Sequence, residues 1–187
     1  MPTHLDVLCG HYNDVLIYNQ KALETDRRFL SYSDNPGIYL AYIIHDFHFA
    51  IYGATFLGQY KPAIALAEEL ITRIPEVVLR IESPPMADFL ESYLTIKQHV
   101  LVRFGRWREI IAQVPPADRD LYCSVVAMMH YAKAVAHSAL GHETAGIHCP
   151  FQCRDHNGIA RRSARRFGTG GRKRVADRLS LGQTRSE

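Results

Sequence analysis

Apolar residues in this chain recur three and four positions apart, in runs that glycine or proline interrupts, so the pattern predicts amphipathic helices and no strands. The stretch GIYLAYIIHDFHFAIYGATFL, ending before Gly58, reads as about five helical turns with no internal proline. Before Gly105, MADFLESYLTIKQHVLVRF places Phe89, Tyr93, Ile96 and Val100 at helical spacing and reads as one long helix. A third such run, VVAMMHYAKAVAHSAL, ends before Gly141.

The runs belong to a repeat. VLCGHYNDVLIYNQKALETD, TFLGQYKPAIALAEELITRIP and VRFGRWREIIAQVP align on a glycine, one variable residue and an aromatic: Gly10/Tyr12, Gly58/Tyr60 and Gly105/Trp107. An aliphatic or alanine pair follows three and four residues later: Val15/Leu16, Ala63/Ile64 and Ile110/Ile111. The physical unit is a helix ended by a glycine in the left-handed region, then a second helix that opens with an inward aromatic. Ala22 and Ala67 are small enough to let paired helices approach, and Pro75 closes the second helix of copy two. A fourth copy begins in SALGHE with Gly141 in register, has Glu143 at the aromatic position, and lacks the helix that should follow. At the other end only nine residues precede Gly10, which reads as a chain that begins inside a helix.

Copy two, G-x-Y-x-x-A-I-x-x-x-x-x-L-I-x-x-x-P from Gly58 to Pro75, resembles the tetratricopeptide repeat. HDFHF, LVRFGRW and HYAKAVAHSALG resemble, more narrowly, a poorly characterised group of tetratricopeptide proteins with His-Asn-x-His-Phe and His-Tyr-Ala stretches. The resemblance covers roughly residues 1–142. It departs from the pattern at Asp46, where Asn is usual, at Arg27 in place of a closing proline, and in the glycine spacings of 48, 47 and 36. The resemblance implies an all-α fold of antiparallel helix pairs stacked as a short right-handed solenoid. Its implied role is a protein–protein interaction scaffold that holds a partner peptide or helix in a concave groove, with no cofactor and no catalysis.

Composition then divides the chain. Residues 147–187 hold ten Lys/Arg against three Asp/Glu, whereas 1–146 hold twelve against sixteen, and all ten Tyr and the single Trp precede position 147. The reading is a helical repeat domain over 1–146 and a basic tail over 147–187. The abrupt switch favours a disordered or out-of-frame tail. A basic arm for nucleic acid or targeting, built on RRSARRF and GRKR, is the second reading of the tail. A metal site from His148, Cys149, Cys153 and His156 is the third, although that compact spacing lacks a distant second ligand pair. A truncated gene product without independent function is also an open alternative for the whole chain. No run is long and apolar enough for a membrane span, and the four cysteines are few and irregular, which suits reduced thiols in a cytoplasmic setting. The sequence leaves the oligomeric state open.

Candidate chemistry is sparse. Nucleophile elbows, phosphate-binding loops and dinucleotide glycine runs are all missing, so the sequence does not point to an enzyme. The repeat register places His45, His48, Tyr52, Thr55 and Phe56 on the groove in copy two, Ser92, Thr95, His99 and Arg103 in copy three, and His4 in copy one. His45 and His48 share a helix face, and a divalent metal bound there, in an enzyme or a sensor, is the alternative to a peptide groove. Asp46 is expected on another side of that helix. His130 and His137 fall toward packing positions. Cys9 and Cys123 read as packing thiols, and Glu68, Glu69 and Arg73 as a solvated face.

Overall fold

The computed structural model describes residues 2–32, 37–81 and 87–142. The tail, with His148, Cys149, Cys153 and His156, lies outside the described residues. Within them the structure is all-helical, with no strand. The helices are α1 (Pro2–Cys9), α2 (Tyr12–Leu30), α3 (Leu40–Phe56), α4 (Tyr60–Arg73), α5 (Glu76–Leu79), α6 (Ala87–Tyr93), α7 (Ile96–Arg103), α8 (Trp107–Ala112) and α9 (Cys123–Ala139). A 3₁₀ turn, Gly37–Tyr39, leads into α3.

The repeated glycines do what the pattern requires. Gly10, Gly58, Gly105 and Gly141 all adopt positive φ. Around each one the same pair of backbone bonds forms. The residue after the glycine donates five positions back (His11 to Asp6 at 2.8 Å, Gln59 to Ala54 at 2.8 Å, Arg106 to Leu101 at 2.9 Å, His142 to His137 at 2.9 Å), and the glycine itself donates to the carbonyl three positions back. This is the Schellman end, built four times. After the first three, the next helix starts at Tyr12, Tyr60 and Trp107, the expected aromatics, each half-buried.

The start of α2 lies against the end of α3, where Tyr12 and Phe56 stack at 4.7 Å, and its end lies against the start of α3, where the Tyr39 hydroxyl donates to Asp26 at 2.8 Å. The two helices therefore run in opposite directions. They meet closely because Gly53 has no side chain: a Cβ there would come within 2.9 Å of the Tyr12 carbonyl oxygen. The main core gathers Leu16, Leu23, Ile43, Ile44, Phe47 and Ile51 with Ala63, Ala67 and Leu70 of α4. A smaller cluster of Leu101, Ile110, Ala132 and Ala136 joins α7, α8 and α9.

Four expectations are corrected. The long helix before Gly105 is broken at Leu94–Thr95 into α6 and α7. Ser92 Oγ donates to the Phe89 carbonyl at 2.6 Å and Thr95 Oγ1 to the Ser92 carbonyl at 2.7 Å, local bonds that compete with the helical ladder, and the backbone tightens to three-residue spacing there. The buried face across the break is Ala87, Leu90, Glu91, Leu94, Gln98 and Leu101, while Phe89 is exposed. Cys9 is exposed at the end of α1, unlike the buried Cys123. Glu68 and Glu69 are not merely solvated. Arg27 grips Glu69 through two bonds of 2.9 and 2.7 Å, Arg73 adds a third at 2.9 Å, and Lys97 reaches Glu68 at 2.8 Å, so α4 is tied to α2 and α7. Arg27 can do this because α2, without a closing proline, continues to Leu30.

Candidate functional site

Along α3, His45, His48, Phe49, Tyr52 and Phe56 fall at spacings of three, four, seven and eleven, which is one helix face. Ile43, Ile44, Phe47, Ala50, Ile51 and Ala54 take the buried faces, so the imidazole and aromatic stripe stays at the surface, half-buried except for the exposed Phe56. Neighbouring elements widen it. At one end Tyr12 stacks on Phe56, and Tyr52 lies 4.4 Å from Phe56. At the other, Phe49 is packed by His4 and His45, both with ring centroids 4.5 Å away. On the α6 side His48 sits edge-on to Tyr93 at 5.6 Å, and Tyr93 contacts Phe89 at 5.2 Å.

The electrostatics are mild. Burial lowers the His48 imidazole below the ordinary histidine range, and the neighbouring His45 and His99 lower it further. Burial also lowers His99, although that residue keeps solvent contact. The two rings are therefore neutral at neutral pH and act as hydrogen-bonding groups, not cations. Arg103 is exposed, and among the described residues no ion pair engages it. It brings a permanent positive charge.

The sequence-predicted groove residues are only partly brought together. His45, His48, Tyr52 and Phe56 share the α3 stripe, and His99 lies within electrostatic reach of His48. Thr95 stands just before α7 without a side-chain capping bond, and its hydroxyl donates back to the Ser92 carbonyl. His45 has its contact with His4, at 3.4 Å between the Nε2 atoms, while the ring of His48 turns to Tyr93. Asp46, expected on another side, places Oδ1 3.2 Å from His45 Nδ1. Among the described residues, no group of three or more His, Cys, Asp or Glu is arranged to hold a metal ion.

Sequence reasoning missed Phe49 and Tyr93 on this surface. Phe49 was findable, since it stands four residues after His45 on the same face. Away from the stripe, a cavity of about 310 Å³ is lined by Gly105, Arg106, Trp107, Arg108, Glu109 and Leu140. Arg106 there is already held by Glu109 and by the Tyr60 ring, 4.9 Å from its guanidinium.

Comparison with known proteins adds no relative: no family model, no curated protein and no solved structure matches the chain. The resemblance to the tetratricopeptide repeat thus rests on the repeat residues themselves. No described helix is long and apolar enough to cross a membrane.

Proposed function

We propose that the helices stack as a short right-handed tetratricopeptide-like solenoid, and that the protein is an interaction scaffold holding a partner peptide or helix along the α3 stripe. The observation that carries the reading is the stripe itself, five ring-bearing residues in helical register on a surface the core does not use. The four Schellman ends, three of them followed by an aromatic-led helix, support the solenoid. Rigid aromatic rings present large contact area at small entropic cost, so Tyr52 and Phe56 serve as anchors. Neutral His48 and His99 supply hydrogen bonds, and Arg103 meets a carboxylate of the partner. His45 begins the stripe, and Thr95 stands at the break between α6 and α7 with its hydroxyl on the Ser92 carbonyl. A cytoplasmic location fits this role.

The test is selection of binders from a random peptide library on the full chain, followed by fluorescence anisotropy with a selected peptide. Replacing both Tyr52 and Phe56 by Ala weakens binding about tenfold or more, the cost of losing about 1.4 kcal/mol or more of contact. Arg103→Ala removes any preference for a peptide with a free C-terminal carboxylate over its amide. Undiminished affinity in a natively helical Tyr52/Phe56 double variant would sink the proposal.

A further inference from the structure

The pair His4–His45, contributed by α1 and α3, meets within hydrogen-bond reach but off the straight line. Its Nε2 atoms are 3.4 Å apart and its ring centroids 5.2 Å apart. Two imidazoles pointing head-on at each other across that gap would hold their centroids about 5.7 Å apart, since a hydrogen bond prefers a straight line. The chain contains such a pair: the Nδ1 atoms of His137 and His142 are also 3.4 Å apart, and their centroids are 5.7 Å apart. In His4–His45 the rings are bent away from the line joining their nitrogens. Two imidazoles bound to one tetrahedral ion at about 2.05 Å would have nitrogens about 3.35 Å and centroids about 5.2 Å apart. Both observed distances agree with that bite.

The surroundings hold the arrangement. Phe49 packs against both rings, with centroids 4.5 Å from each, and so fixes them on a common apolar floor. His45 Nδ1 faces the Asp46 carboxylate at 3.2 Å and donates its proton there, which leaves the lone pair on Nε2, toward His4. A carboxylate behind a ligating histidine is the usual means of fixing its tautomer and raising its basicity. His4, exposed, needs only to carry its proton on Nδ1 to present a second lone pair.

We infer that His4 and His45 form a bidentate site for a divalent transition-metal ion of the imidazole-preferring class, zinc being the type, with Asp46 orienting His45. Two protein ligands leave two tetrahedral positions for water. The bound ion would place a localised positive charge beside the neutral His48 imidazole of the stripe. The inference does not depend on a peptide occupying that stripe.

The experiment is calorimetric titration of the full chain with zinc chloride, in a background where His148 and His156 are replaced by Ala and Cys149 and Cys153 by Ser, so that tail ligands do not contribute. A single site per chain is expected. His4→Ala and His45→Ala each weaken it about tenfold or more, and Asp46→Asn weakens it by about 10–100-fold, the usual loss for a carboxylate behind a ligating histidine. His48→Ala, His99→Ala and His142→Ala leave it unchanged. Circular dichroism on the same samples checks that each variant is folded. Ring-proton nuclear magnetic resonance of the unmutated histidines gives a reading that needs no folded variant: zinc should shift the resonances of His4 and His45. Absence of zinc binding, affinity indifferent to both His4→Ala and His45→Ala, or shifts confined to other histidines would each overturn the inference.

Discussion

His48 is the residue whose environment most constrains its chemistry. Burial and the adjacent imidazoles lower its proton affinity in the folded state. As pH falls below about 6.5, the ordinary histidine value, the unfolded chain takes up the proton first. Folded stability is therefore full above that value and is lost as pH falls toward the lowered one, with a slope of at most about 1.4 kcal/mol per pH unit for one proton. His48→Phe removes this contribution and keeps the aromatic contact with Tyr93. Urea midpoints measured from pH 7.5 down to 5 should move in favour of the variant as the pH falls, and a difference independent of pH would refute the assignment. Asp26 has the opposite sign. Burial raises its carboxyl, so its charged form costs stability as pH rises, although the Tyr39 hydroxyl offsets part of this.

Among the described elements, α2 and α3 share the most extensive contact, and their approach depends on Gly53. Replacement by Ala would improve helix propensity by about 1 kcal/mol. Its Cβ, however, would stand 2.9 Å from the Tyr12 carbonyl oxygen and 3.1 Å from the Leu16 nitrogen, and both neighbours are backbone. Overpacking of that kind costs about 1–3 kcal/mol. Gly53→Ala should therefore lower the thermal midpoint despite the better helix former. A neutral or stabilising outcome in a denaturant melt would show that the helices can part without loss. The break between α6 and α7 is also an element-scale matter. The buried face runs through it from Ala87 to Leu101, with Glu91 and Gln98 among its apolar members, and only the hydroxyls of Ser92 and Thr95 mark where the ladder is interrupted.

At the scale of the molecule, local signals were the legible ones. Each glycine end could be read because the glycine and the residues it bonds lie within a few positions, with an aromatic following in three of the four. The stripe on α3 was legible through the repeat register, which places His45, His48, Tyr52 and Phe56 on one face, and their helical spacing agrees with it. What escaped were contacts between distant residues. The meeting of His4 with His45, the grip of Arg27 on Glu69 and the place of Glu91 depend on which helices become neighbours, and no short window records that. Glu91 is the clearest case: 1% exposed, it accepts from the backbone nitrogens of Ser124 at 2.7 Å and Val125 at 3.1 Å, and from the Ser124 hydroxyl at 3.1 Å. It thereby caps α9 from 33 residues away, at a helix start with no side-chain cap of its own. Glu91→Gln keeps the size and removes the charge, at an expected cost of about 2 kcal/mol in a denaturant melt, and a loss too small to measure would deny the cap any role. The cap also has a kinetic consequence. The amides of Ser124 and Val125 should exchange with solvent deuterium only when α6 lets go, at a rate set by that opening and not by the fraying of α9. Two segments separated by the whole of α7 and α8 would then open as one unit, with Glu91 as the link.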